Sequence, residues 1–87
     1  MSAINFSNRA AKNLRGDTES LKRATVRRLE EVKKNPGRHL TPIEGYSFYK
    51  VDIDDEHIAI VEWLEQRDEI RVLTVGPRER FHDPVLA

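Results

Sequence analysis

Tyr49-Lys50-Val51-Asp52-Ile53-Asp54 alternates apolar and polar residues without a break, and this hexapeptide decides how the rest of the chain is read. A period of two places Tyr49, Val51 and Ile53 on one face of a strand and Lys50, Asp52 and Asp54 on the other. Working outward from it, Asp54-Asp55-Glu56-His57 is a polar turn, and Ile58-Ala-Ile-Val-Glu-Trp-Leu64 is a nearly continuous apolar run. A second turn, Gln66-Arg-Asp-Glu69, leads into Ile70-Arg-Val-Leu-Thr-Val75. Turns this short join antiparallel neighbours, so the three runs predict a β-meander. Gly76-Pro77 breaks it and a polar tail follows from Arg78 to Ala87.

On the N-terminal side the period changes. Ile4 and Phe6 suit a short half-buried strand, after which Ser7 can cap a helix through Ala10, Ala11 and Leu14 that stops at Gly16. Asp17 or Thr18 can cap a second helix, with Leu21, Thr25, Arg28/Leu29 and Val32 on one face and Lys22, Arg23, Arg27, Lys33 and Lys34 outward. Asn35-Pro36-Gly37 ends it. The prediction is a single α+β domain over residues 1–87, ordered β-α-α-β-β-β. Its small twisted sheet is antiparallel apart from the N-terminal strand, which makes it mixed, and an αα hairpin packs on one face. The opposite face carries Lys50, Asp52 and the residues after Gly76, and a function is expected there.

Composition narrows the classes. The chain has 87 residues, no cysteine and no stretch near the roughly 18 apolar residues of a membrane span. The expectation is a cytoplasmic protein with no disulfide, no thiolate metal site and no membrane partner. Net charge is zero from 15 basic and 15 acidic residues, but Met1–Leu40 holds 10 Lys/Arg against 4 Asp/Glu and Thr41–Ala87 holds 5 against 11. The basic half is either a solvated helix face or a stripe for a polyanion. Asp52-Ile-Asp54-Asp-Glu56 begins like a calcium loop, yet His57 stands at the sixth position, where the turn needs Gly, and Trp63 at the twelfth, where it needs Glu. Neither a metal nor another cofactor is expected.

Asn35-Pro36, Gly45-Tyr-Ser-Phe-Tyr49-Lys50 and Val72-Leu-Thr-Val-Gly76-Pro-Arg78-Glu-Arg80, taken in order, resemble the RelE/ParE superfamily of toxins from type II toxin–antitoxin systems. The resemblance spans nearly the whole chain. It implies the fold just described, a cognate antitoxin as partner and, in the RelE branch, a toxin that enters the ribosome and cleaves mRNA. Lys50 matches a basic position of the Tyr-Lys strand, and Arg78 and Arg80 match the arginines after the last strand. Asp52 departs from the pattern where a second base is usual, His57 or its neighbour stands near the strand arginine, and the C-terminal tyrosine position falls near Pro84. The resemblance leaves two other readings open: a ParE-like toxin that inhibits DNA gyrase without cutting, and a degenerate member that only binds an antitoxin.

Metal-free RNA cleavage needs a general base, a cation cluster and a general acid. Arg78 and Arg80, left free by a turn, would hold the phosphate and Lys50 would stabilise charge. His82 or His57 would move protons near neutral pH, with His82 in the place of the missing tyrosine. The plainer alternatives are a surface ion pair between Lys50 and Asp52 and a solvated turn residue at His57. His39 has no evident partner. Trp63 and Phe48 read as core or partner-contact residues rather than base-stacking platforms.

Overall fold

A computed structural model describes residues 3–81. The elements are β1 (Ala3–Phe6), α1 (Asn8–Arg15), α2 (Glu19–Lys34), a one-turn α3 (Pro36–His39), β2 (Thr41–Pro42), β3 (Tyr49–Asp52), β4 (His57–Leu64) and β5 (Glu69–Pro77). Single 3₁₀ turns follow β4 at Glu65–Arg67 and β5 at Arg78–Phe81. The five strands form one mixed sheet in the order β1-β5-β4-β3-β2. Its meander is antiparallel, while β1 lies parallel to β5, with Ile4 opposite Ile70.

The caps explain where the helices begin. Ser7 Oγ accepts from the Ala10 N–H at 3.0 Å and donates to the Leu73 carbonyl at 2.8 Å, so one hydroxyl starts α1 and ties it to β5. Of the two candidate caps for α2, Thr18 makes the bond, its Oγ1 accepting from the Leu21 N–H at 3.2 Å. Asn35-Pro36 ends α2 as expected, but the chain does not become a loop there. Pro36 opens α3, because a proline at the first helical position needs no hydrogen-bond partner and already has a helical φ. The two-residue strand β2 is the other unforeseen element: it pairs with β3 through Thr41–Lys50 and Pro42–Tyr49. Its proline suits an edge position, where a missing N–H costs nothing in the ladder.

The helices cover one face of the sheet. Ala10, Leu29 and Val32 pack against Val51, Val61, Ile70 and Val72, and Tyr49 and Trp63 extend this core with an edge-on ring contact at 5.8 Å. The alternation read from Tyr49 to Ile53 thus faces the hairpin. His39 does have a partner: its Nδ1 lies 3.3 Å from Arg28 Nη1 and, since guanidinium only donates, acts as the acceptor. Arg28 also donates from Nε to the Asp52 carbonyl at 2.8 Å, joining α2 to the end of β3. Among the described residues no helix is long and apolar enough to cross a membrane.

Candidate functional site

The other face of the sheet is only partly covered. Ile43, Ile58 and Ile60 are buried there, with Phe48, Leu73 and Phe81 packed around them. Lys50 stands opposite Ile60 and Asp52 opposite Ile58 in the β3–β4 register, so both polar residues border this small core. Ile58 is in turn opposite Gly76 on β5. A side chain at Gly76 would meet the Phe81 ring at 3.3 Å and Arg80 Nη1 at 3.1 Å. Glycine here allows the turn after β5 to fold back onto the sheet.

That fold-back forms a cleft of about 940 Å³ whose lining includes Lys50, Glu56, His57, Arg78, Glu79 and Phe81. Three of the residues expected to act, Lys50, His57 and Arg78, are therefore brought together. Arg80 is not among them. It lines an adjoining hollow of about 360 Å³ with Lys12, Asn13 and Asp17, and His57 borders both spaces. His82 lies outside the described residues.

The turn does not leave Arg78 free. Its backbone N–H donates to the Glu56 carbonyl at 2.6 Å, its Nε to the Asp55 carbonyl at 3.3 Å, and its Nη2 to Asp52 Oδ1 at 3.0 Å and the Asp54 carbonyl at 3.4 Å. The physical reason is register: His57 pairs with Pro77, so the residue after β5 emerges beside the acidic turn before β4. Asp52 accordingly pairs with Arg78, not with Lys50. Among the described residues no carboxylate pairs with Lys50.

Asp54 organises the turn. Its Oδ1 accepts from the backbone N–H groups of Glu56 and His57, each at 2.8 Å, and lies 2.9 Å from His57 Nδ1. Slight desolvation raises the Asp54 carboxyl pKa, but the hydrogen bonds from the His57 side chain and these two N–H groups outweigh it and hold the group below its ordinary value. A carboxylate only accepts, so Nδ1 of His57 carries the hydrogen and a neutral ring keeps its lone pair on Nε2. Sequence reasoning passed over Asp54 as a turn residue. An aspartate followed at the third position by a histidine was the available signal, since Asp side chains bond to backbone two and three residues on. It also passed over Asn13, whose Oδ1 accepts from Thr74 Oγ1 at 3.0 Å and the Val75 N–H at 3.1 Å. No local pattern marks that residue.

This arrangement, an αα hairpin on one face of a mixed five-stranded sheet, is the fold of the RelE toxins. No protein-family profile matches the chain and no curated protein matches it by sequence. The likeness is three-dimensional. The isolated RelE toxin of E. coli superposes with a TM-score of 0.74 at 18% identity, covering 88% of this chain and 84% of that one. A chain of a RelBE toxin–antitoxin complex from Mycobacterium tuberculosis gives 0.79 at 15% identity, covering 88% and 98%. A chain of the archaeal RelE–RelB complex from Pyrococcus horikoshii gives 0.74 at 16% identity, covering 91% and 97%.

Proposed function

We propose that this chain is the toxin of a type II toxin–antitoxin module and acts as a ribosome-dependent mRNA endoribonuclease of the RelE kind. The observation that carries the reading is the convergence of Lys50, His57 and Arg78 on one cleft of a RelE fold. His57, oriented by Asp54, takes the proton of a ribose 2′-hydroxyl at Nε2. The 2′-oxygen attacks the adjacent phosphorus, and Lys50 and Arg78 stabilise the charge that builds on the phosphate oxygens. The bond to the 5′-oxygen breaks and that oxygen takes a proton, for which His82 is the candidate donor. Arg80, in the adjoining hollow, holds a flanking phosphate. The chemistry assigned here requires no metal or other cofactor.

The similar structures include RelE bound to RelB antitoxins. For this chain the partner is likewise an antitoxin, laid across the αα hairpin or a sheet edge. The cytoplasm, where ribosomes and mRNA are, is the compartment this reading implies.

One observation favours a second reading. Asp52 neutralises Arg78 at the position where the family pattern has a base, which suits a ParE-like inhibitor of DNA gyrase or a degenerate member that keeps only antitoxin binding. Expression of the chain without its antitoxin, with mapping of mRNA 5′ ends, separates these readings. Cuts inside reading frames that fall about 100-fold in a Lys50→Ala, Arg78→Ala variant are the expected result. Growth arrest with intact mRNA would move the case to gyrase, and no arrest to the degenerate member.

A further inference from the structure

Arg78 already has an anionic ligand. Its Nη2 donates to Asp52 Oδ1 at 3.0 Å and to the Asp54 carbonyl at 3.4 Å, and its Nε donates to the Asp55 carbonyl at 3.3 Å, so the edge of the guanidinium that joins Nε and Nη2 is occupied. A carboxylate offers a guanidinium the same kind of oxygen acceptors as a phosphate does. Asp52 is also fixed from the far side of the sheet, where its carbonyl accepts from Arg28 Nε at 2.8 Å. Two arginines thus grip one residue at the end of β3, one from the helix layer and one from the cleft. Lys50, on the same strand face, is left as the cleft cation with no carboxylate partner among the described residues.

We propose that Asp52 is an internal competitor that sets the affinity of the cleft for phosphate. A nucleotide phosphate takes the Nη2 donor of Arg78 only by displacing the Asp52 carboxylate, and Asp52 acts through Arg78 as a positioning residue. The Arg78 and Asp52 side chains are 44% and 60% exposed, so the pair is weak enough to be displaced and works as a competitor rather than a lock. The displaced carboxylate stays near the phosphate and repels it. The two effects together lower affinity on the order of tenfold. In consequence, RNA alone binds poorly, and productive binding depends on a scaffold that supplies contacts elsewhere. The inference rests on the cleft being the phosphate site of the proposed reaction.

The test is fluorescence anisotropy of a 2′-O-methyl RNA octanucleotide, which cannot be cleaved, with the purified full chain at fixed salt. Asp52→Asn should bind about tenfold tighter than wild type with a steeper salt dependence, because one more cation is free to meet phosphate. Asp52→Glu, which restores a carboxylate, should return toward wild type. The gain should vanish in Asp52→Asn combined with Arg78→Ala. Asp52→Ser, smaller and uncharged, repeats the test if the asparagine variant does not fold. Unchanged affinity in the neutral variants, an equal gain without Arg78, or no binding by any variant would each overturn the proposal. If wild type cuts mRNA in cells while the neutral variants bind no tighter, only this inference falls. If they bind tighter through Arg78 while wild type cuts nothing, the nuclease reading falls and Asp52 remains the competitor.

Discussion

On the helix-covered face of the sheet, Val51, Val61, Ile70 and Val72 are fully buried beneath α1 and α2, whereas the open face has a smaller apolar core among the described residues, Ile43, Ile58 and Ile60 under a partial roof of Phe48, Leu73 and Phe81. The same strands supply both faces, because successive side chains point to opposite sides. The contrast teaches where a domain of this size places its stability and where it leaves room for chemistry. The covered face is fully buried at its centre, with Ile4, Tyr49 and Trp63 half-buried at its margins. The open face is apolar only at its centre, and charged residues border it: Lys50 and Asp52 on β3, the acidic turn, and the arginines after β5.

The largest effect should come from the covered face. Ile70→Ala removes a fully buried side chain between β1 and β4 and should cost about 3 kcal/mol in urea denaturation. Leu73→Ala on the open face, where the side chain is only half-buried, should cost about 1 kcal/mol. Equal losses at the two positions would erase the distinction between the faces.

A smaller effect sharpens the boundary between them. Asn13→Ala strips the acceptor from Thr74 Oγ1 and the Val75 N–H, close to the irregular register of β4 and β5 at Ile60/Val61. A buried donor left unpaired should cost about 1–2 kcal/mol, read as a lower denaturation midpoint with an unchanged slope. The Arg80 hollow, which Asn13 lines, should loosen with it, seen as faster amide exchange in residues 74–76.

The smallest effect is one of pH and belongs to the open face. The Asp54 carboxyl titrates below its ordinary value in the folded chain, so the folded state holds fewer protons than the unfolded state across that interval. Its contribution is therefore complete above the ordinary aspartate pKa of about 3.9 and is lost as pH falls through the folded value. Asp54→Asn should flatten the acid limb of the stability curve by lowering stability slightly at neutral pH while leaving the acid end unchanged, a small effect because the side chain is exposed. A limb as steep as that of wild type would show that the turn is not held by this carboxylate.

Much of the scaffold was legible because it depends on local periodicity. The alternation from Tyr49 to Asp54, the apolar run from Ile58 to Leu64 and the hydroxyls at Ser7 and Thr18 each carry their structural meaning within a few residues. The short α3 and β2 were missed because four and two residues are too few to show a period. The site was legible in its residue types and illegible in its pairing. Lys50 and Asp52, two apart on one strand face, read as partners from sequence. Arg78, 26 residues from Asp52, became the actual partner because the antiparallel register carried it there.

By itself, then, the sequence determined the order of the longer elements, the face of the Tyr49–Ile53 strand that meets the hairpin, and the placing of Lys50 and Asp52 on the other face, since these follow from backbone period and side-chain polarity. Only the tertiary structure decided that Arg78 and Arg80 diverge into separate hollows. It alone placed Asp52 on the guanidinium that a phosphate would seek. Long side chains take their direction from charges and carbonyls that the fold sets beside them, and for Arg78 those neighbours come from a segment more than 20 residues away.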